Sequence, residues 1–307
     1  MPSLAARVRD LLGMELTEFR DVGGQHGYRH VTGTLADGRR VFAKVAAEHG
    51  AGVAPEPGEG VADAFAAEAN GLRWLAAANG GPLVPQVIGV AADFLLIELL
   101  APLEQATAAA ARRFGAELAR MHAAGAPAFG APWPGYIASL PLDNHTLDNH
   151  AAEADWGSWY AERRIVPYLR RAQDDGALSR ADVDLVETVM RRIGELAGPA
   201  EPPSRIHGDL WSGNVLWSAG RGCLIDPAAH GGHRETDLAM LALFGAPHLT
   251  EILRGYTETT PLADGWRSRV SLHQLHPLLV HVCLFGSGYT AQLRAAARTA
   301  LGGRNNV

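Results

Sequence analysis

The chain has only two cysteines, Cys223 and Cys283, among 307 residues. No disulfide framework can be built from them, which suits a reducing compartment, and a cytoplasmic location is expected. Both are expected to pack as buried thiols. Long apolar runs are missing too. Phe94–Leu103 is broken by Glu98 and Leu278–Phe285 by His281, so no stretch reaches the length of a membrane span. The segment Met1–Asp10 has no apolar core of the secretory kind. There is no basic excess, since the formal net charge is -6. A general nucleic-acid binder would carry a basic footprint, so nucleic acid is not an expected partner. No internal repeat is evident. What is left is an ordinary globular composition, 47% hydrophobic and 20% charged, in a chain longer than one small core usually holds.

Two unlike blocks follow. A short helix is expected over 4–13, then strands near 17–22, 28–35 and 40–46, with Asp37-Gly38 as a hairpin turn. Ala47–Gly60 is rich in Gly, Pro and Ala and reads as a flexible surface loop. Ala62–Ala78 carries Phe65, Ala69, Leu72 and Leu75 at helical spacing, and a strand pair follows at 86–91 and 93–98. Beyond residue 100 the pattern turns helical. Helices are expected over 106–124, over 156–171 with Pro167 placed to kink it, and after a capping box at Ser179–Asp182. Others are expected near 235–245, 248–257 and 266–300. The stretch 125–152 reads as irregular, and Gly198–Pro203 as a connector.

The chemistry concentrates after that connector. Residues 207–214 read His-Gly-Asp-Leu-Trp-Ser-Gly-Asn, with Asp209 and Asn214 five apart. That is the spacing of base and metal-binding asparagine in a kinase catalytic loop. A lone Asp and Asn at this spacing would ordinarily be capping residues. Here Val215-Leu216-Trp217 and Cys223-Leu224-Ile225 flank Ser-Ala-Gly-Arg-Gly and form a hairpin pattern. Asn214 precedes its first strand and Asp226 follows its second. Antiparallel pairing brings their backbones to about 5 Å. An amide oxygen and a carboxylate at that separation can share Mg²⁺.

The first block supplies a nucleotide side. Lys44 lies in the strand-like run Val41–Val45, where a lysine is usually a solvated edge residue. Glu68, however, falls beside the apolar stripe of the helix and needs a partner there. A Lys44–Glu68 pair would hold the ammonium against the α- and β-phosphates of ATP. Gly23 and Gly24, in Gly23-Gly24-Gln25-His26-Gly27, sit where a phosphate-covering loop belongs. Glu98 and Leu100 mark the expected hinge, where backbone groups would bond adenine. The predicted fold is therefore α+β, bilobal and protein-kinase-like. A small antiparallel-sheet lobe with one long helix, 1–100, binds nucleotide. A larger, mainly helical lobe, 101–307, carries the catalytic loop and the acceptor site.

Only ten residues separate Asp226 from Asp237, and no Ala-Pro-Glu follows. A protein kinase uses a longer segment here to dock a peptide and accept an activating phosphate. The short segment points to a small-molecule acceptor and a constitutively assembled site. His230 and His233 form H-x-x-H, but Gly231-Gly232 makes a helix unfavourable and no metal motif accompanies them. His273, His276 and His281 read as satisfied core or cleft histidines.

On these residues the chain resembles the fructosamine kinase (ketosamine-3-kinase) family. The resemblance rests on His207–Asn214, Ile225–Ala228, Gly232–Met240, Leu278–His281 and Leu284–Tyr289, with Phe129-Gly130, Tyr136-Ile137 and Trp156–Arg163. It implies ATP- and Mg²⁺-dependent phosphorylation of O3 of a ketosamine, free or as a glycated amine, in a repair role that ends in deglycation. Asp209 is then the base, Asn214 and Asp226 hold the metal, and Trp211, His233 and Glu235 face the acceptor. Asp237 is expected to brace the catalytic loop. Many members carry a cysteine in the glycine-rich loop, where this chain has Gln25-His26, so no redox switch is expected there. Rival readings are an aminoglycoside or other small-alcohol kinase on the same scaffold, and a catalytically silent nucleotide-binding scaffold. The oligomeric state and the physiological ketosamine stay open.

Overall fold

The computed structural model describes residues 3–25, 27–46, 61–100, 102–147 and 155–302. The loop read over Ala47–Gly60 and His26 of the glycine-rich turn lie outside the described residues. Helix α1 (Leu4–Leu12) begins where the Ser3 side chain accepts from the Ala6 amide and ends at Gly13 in the left-handed region. It rests on a five-stranded antiparallel sheet. The strands are β1 (Leu16–Gln25), β2 (Tyr28–Leu35), β3 (Arg40–Ala46), β4 (Val87–Val90) and β5 (Phe94–Glu98), in the order β1-β2-β3-β5-β4.

Alternation along β3 sorts the two faces of the sheet. Val41, Ala43 and Val45 join Val8 of α1 in one core. Phe42 packs on the other face, against Phe65, Ala69 and Leu72 of helix α2 (Val61–Ala76). Lys44 shares the Phe42 face and so points at α2. β1 departs from expectation by running on to Gln25, so Gly23 and Gly24 lie in the strand rather than in a separate loop. The register slips between Asp21 and Gly24, a bulge that the paired glycines permit.

The second block is helical around short hairpins. α3 (Ala108–Ala123) is followed by a hairpin of β6 (Gly135–Ile137) and β7 (Leu140–Leu142), inside the stretch read as irregular. The expected 156–171 helix is in three parts: α4 (Trp156–Tyr160), a wider π turn over Ala161–Ile165, and α5 (Val166–Asp174). Pro167 has no amide to donate back along the helix, and the widened turn absorbs that break. α6 (Arg180–Arg191) opens on the predicted capping box, and α7 (Ile193–Leu196) follows. Strand β8 (Ser204–Ile206) leads into the catalytic loop and β9 (Val215–Ser218) with β10 (Arg221–Leu224) forms the expected hairpin. β11 (His230–Gly232) returns to pair with β8. Then come α8 (Arg234–Leu243), α9 (Leu249–Thr259), α10 (Trp266–His273), α11 (Leu275–Phe285) and α12 (Thr290–Ala300). The single helix expected over 266–300 is thus broken at Gln274 and at Gly286, which takes φ 70. Among the described residues no helix is long and apolar enough to cross a membrane.

Helices α3 and α9 cross backbone to backbone. A Cβ on Gly115 would lie 1.9 Å from the Ile252 carbonyl oxygen, and one on Gly255 1.9 Å from that of Arg112. A methyl group at either position forces the helices apart. Gly115→Ala should destabilise the protein by about 1–3 kcal/mol, read as a lower urea midpoint. An unchanged midpoint would show that the crossing yields freely.

Candidate active site

The catalytic loop is set by a buried carboxylate. The amides of His207 and Gly208 donate to Asp237 at 2.7 and 3.0 Å. Asp237 is fully buried, with His122 Nε2 3.1 Å from its Oδ2 and the Tyr256 hydroxyl 2.8 Å from His122 Nδ1. Asp237 therefore braces the loop as expected, and His122 and Tyr256, which sequence reasoning missed, extend the brace into α3 and α9. Gly208 takes φ 82, and a Cβ there would lie 2.3 Å from the Ala228 carbonyl oxygen. Only glycine lets the loop pass so close to the segment after Asp226. His207 Nε2 faces the Ile225 carbonyl oxygen at 2.9 Å and must carry the proton, while Nδ1 accepts the Asp209 amide at 3.3 Å. Burial lowers the His207 pKa and favours this neutral tautomer.

Asp209 follows, with no cation beside its carboxylate among the described residues. Burial pushes its pKa up to about 7; the Asn214 amide opposes this, and the Asp226 and Asp237 charges add to it. A carboxylate poised there is matched to proton transfer near neutral pH. Asn214 Nδ2 donates to the Asp209 carbonyl at 2.8 Å and to its Oδ2 at 3.2 Å, which turns Asn214 Oδ1 away from the loop. The hairpin then closes as the sequence predicts. Val215 pairs with Leu224, and the Ile225 amide donates to the Asn214 carbonyl at 3.1 Å. Asp226 follows in the left-handed region at φ 53, which aspartate tolerates better than most residues.

Lys44 reaches this point from β3. Its Nζ lies 2.9 and 2.8 Å from the two Glu68 oxygens and 2.8 Å from Asp226 Oδ1. Burial alone would lower the ammonium pKa, yet the Glu68 and Asp226 carboxylates outweigh it and hold the pKa above the usual lysine value. Burial raises the Glu68 carboxyl, helped by the Asp226 charge. Asp226 is also driven up by burial, but Lys44 brings it below the ordinary aspartate value. Asn214 Oδ1 and the remaining Asp226 oxygen offer oxygen donors from the two ends of the hairpin, where the Ile225 amide bonds the Asn214 carbonyl, and oxygen donors suit a hard divalent cation.

One cleft gathers Lys44, Glu68, Asp209, Trp211, Asn214 and Asp226. Tyr28, His30, Trp133, Tyr136 and Asn144 also line it. Sequence reasoning gave none of these a place in the site: Tyr28 and His30 read only as strand residues, and Trp133, Tyr136 and Asn144 fall in a stretch with no spacing signal. Trp211 is 41% exposed, with its ring edge-on to Phe244 at 6.5 Å, so an indole face is open to a ligand. Gly23 and Gly24 sit near the tip of the β1–β2 hairpin, and the Gly23 amide is taken by Asp21 Oδ1 at 2.9 Å. Glu98 and Leu100 lie at the end of the sheet, outside the lining of this cleft, where the Leu99 amide donates to the Arg40 carbonyl at 3.0 Å.

His233 and Glu235 do not face this cleft. Both are buried beneath it, and Glu235 is held by two hydrogen bonds from Arg269, at 2.9 and 2.5 Å. They brace α8 and α10, because an acidic side chain at the start of a helix found a buried guanidinium before it could reach the cleft. His233, Glu235 and His273 lie close enough to share an ion, but the Arg269 guanidinium already occupies the carboxylate. His281 Nδ1 donates to the Pro277 carbonyl at 2.7 Å, and His273 bonds Thr236 Oγ1 through Nδ1 and lies 3.4 Å from Glu235 through Nε2. Among the described residues His276 Nε2 has no hydrogen-bond partner, so that histidine reading holds for two of the three. Cys223 is buried, and its thiol is pushed up to about 12 by burial.

Comparison with known proteins agrees with this geometry. The chain matches the family model described as fructosamine kinase over residues 17–302. A crystal structure of a candidate fructosamine-3-kinase from Thermobifida fusca is similar at TM-score 0.89 and 50% identity, covering 98% of this chain and 99% of that one. A candidate ketoamine kinase from Klebsiella aerogenes is 34% identical over 243 residues, 77% of this chain and 80% of its own length. An ADP-bound aminoglycoside phosphotransferase shares the fold at TM-score 0.61 and 13% identity, over 96% and 97% of the two chains.

The raised Asp209 pKa has a cost in stability that can be read directly. Folding favours its neutral form, so the penalty is absent below the unfolded value near 4, grows as pH rises, and is complete above about 7. Asp209→Asn should therefore melt higher than wild type at pH 8 in EDTA, with the difference closing toward pH 4. Its turnover should fall by roughly 10²–10⁴-fold. Turnover above half of wild type would remove Asp209 from the mechanism, and equal melting at both pH values would remove the desolvation argument.

Proposed function

The chain belongs to the fructosamine kinase family, and on that premise we propose that it transfers the γ-phosphoryl group of ATP to O3 of a ketosamine. The observation that carries this reading is the meeting of Lys44–Glu68, Asp209, Asn214, Asp226 and Trp211 in one cleft. Asp209 takes the proton of the sugar hydroxyl as its oxygen bonds to phosphorus, and ADP leaves from the opposite side. Lys44 holds the α- and β-phosphates, and Glu68 holds Lys44. The open indole face of Trp211 stacks on the sugar ring or on the apolar arm of the amine. Phosphorylation at O3 labilises the adduct and leads to release of the free amine, a repair role.

Asn214 and Asp226 would hold Mg²⁺ through oxygen. When bound, the ion supplies positive charge to the phosphate oxygens. The Lys44 ammonium holds one Asp226 oxygen at 2.8 Å. Asp226→Ala should weaken Mg-ATP binding more than Asn214→Ala, because it removes the charged ligand. Metal-free nucleotide should bind both variants at least as well as wild type, since Lys44 is released or unchanged. Isothermal titrations with and without Mg²⁺ check this. Unaltered Mg-ATP affinity and turnover in Asp226→Ala would end the metal role.

The acceptor is tested by a phosphorylation screen over ribulose- and fructose-lysine adducts, aminoglycosides and simple sugars, with product mapping of the phosphate. Ketosamines should be the best acceptors and carry the phosphate on O3. Trp211→Ala should raise the KM for ketosamine more than that for ATP, because the acceptor alone touches the indole. A much higher kcat/KM for kanamycin-like compounds would overturn the ketosamine reading and favour an antibiotic-type alcohol kinase.

A further inference from the structure

Arg205 has no role in the chemistry above, yet its contacts join both halves of the site. It lies on β8, two residues before His207. Its guanidinium is partly buried, and among the described residues no carboxylate lies within ion-pair distance of it. Instead it turns to α2. Nη1 donates to the Trp74 carbonyl at 2.7 Å, and Cζ sits 4.7 Å from the centre of the Trp74 ring. Trp74 is in the last turn of α2, where its carbonyl keeps only a long bond from the Ala77 amide, 3.3 Å, and a cation is favoured. Stacking on the indole face adds a cation–π attraction. The far side of Trp74 meets Trp133 edge-on at 5.8 Å, and Trp133 lines the cleft.

A second contact fixes α2 one turn earlier. A Cβ placed on Gly71 would lie 3.2 Å from the Ala229 Cβ and 3.4 Å from the Pro227 ring, so the helix backbone rests on the segment after Asp226. Gly71 sets how near α2 comes, while Arg205 clamps its end. Glu68 is on the turn before both and holds Lys44.

We propose that Arg205 is a positioning residue: by capping α2 and stacking on Trp74 it fixes the distance of the Lys44–Glu68 pair and of the Trp133 wall from the catalytic loop. It acts through Trp74 and touches neither nucleotide nor acceptor. The role rests on the kinase reading of the cleft. Removing Arg205 leaves the Trp74 carbonyl only the Ala77 amide, at 3.3 Å, and a Trp74 ring free to turn, and α2 then carries Glu68 away from Lys44.

The test is a cycle on nucleotide binding, which needs no acceptor. Mg-ATP affinity is measured by calorimetry for wild type, Arg205→Ala, Glu68→Ala and the double variant, with kcat and KM from ADP release. Arg205→Ala should lose roughly tenfold in Mg-ATP affinity, within the range for coupled neighbours, and should raise the acceptor KM. Arg205→Lys, which keeps the charge and the donor but cannot stack flat, should recover part of the loss. In the Glu68→Ala background the Arg205 substitution should weaken Mg-ATP little further. Additive losses, or an affinity and KM equal to wild type in a folded Arg205→Ala protein, would overturn the role. Should Arg205→Ala fail to fold, the same cycle with Arg205→Lys and Trp74→Phe decides the matter by the same criterion. Wild type that binds no Mg-ATP would sink the nucleotide reading as well, and that outcome is distinct from loss in the variants alone.

Discussion

One ammonium group ties together three pieces of chain that sequence keeps far apart. Lys44 comes from a strand, Glu68 from a helix and Asp226 from the end of a hairpin, and all three meet within hydrogen-bond distance. Charges with so little exposure interact far more strongly than they would in water. Taking away one partner of such a group leaves the others uncompensated, typically at 3–5 kcal/mol. The sheet, the long helix and the hairpin are therefore held in mutual register by electrostatics as much as by packing. Two carboxylates against one ammonium also leave a net negative charge at the mouth of the hairpin, which is the side from which a cation would approach.

The acidic groups around this point are sorted by what each one faces. Asp237 faces two backbone amides and His122, and its pKa falls in spite of burial. Asp226 faces Lys44 and also falls. Asp209 faces no cation among the described residues, and burial drives it upward. Carboxyl groups of one chemistry are thus held at different protonation tendencies by their neighbours alone, as the proposed roles of brace, metal ligand and base require. His207 cannot join the titration, because each of its ring nitrogens is committed to a backbone group.

Much of this was readable before any fold was known. The spacing of Asp209 and Asn214, and the turn between Ser218 and Arg221, imply that Asn214 and Asp226 are neighbours, since antiparallel pairing admits little else. Lys44 and Glu68 could be matched because a carboxylate next to an apolar stripe demands a cation. The sequence pattern was silent where elements were too short to show a period. Strands β8 and β11 have three residues each, fewer than alternation needs. His233 and Glu235 misled for another reason. Their place in a motif suggested contact with the acceptor, but Arg269, 34 positions away from Glu235, claims the carboxylate, and no local rule reports so distant a partner. Trp133 escaped notice, and Tyr136 was noted only through the family resemblance, because a hairpin between prolines looks irregular when read one residue at a time.

The pairing of β11 with β8 has a consequence for how the activity can be governed. His230, Gly231 and Gly232 are laddered to Ile206, Arg205 and Ser204, immediately before the catalytic loop. In a regulated enzyme the segment after the metal aspartate is a moving part. Here it is masonry: pulling it out would open the strand that leads into residues 207–214. Inactivity reached by shifting this segment would amount to partial unfolding, and a cell would then have to discard the molecule rather than pause it.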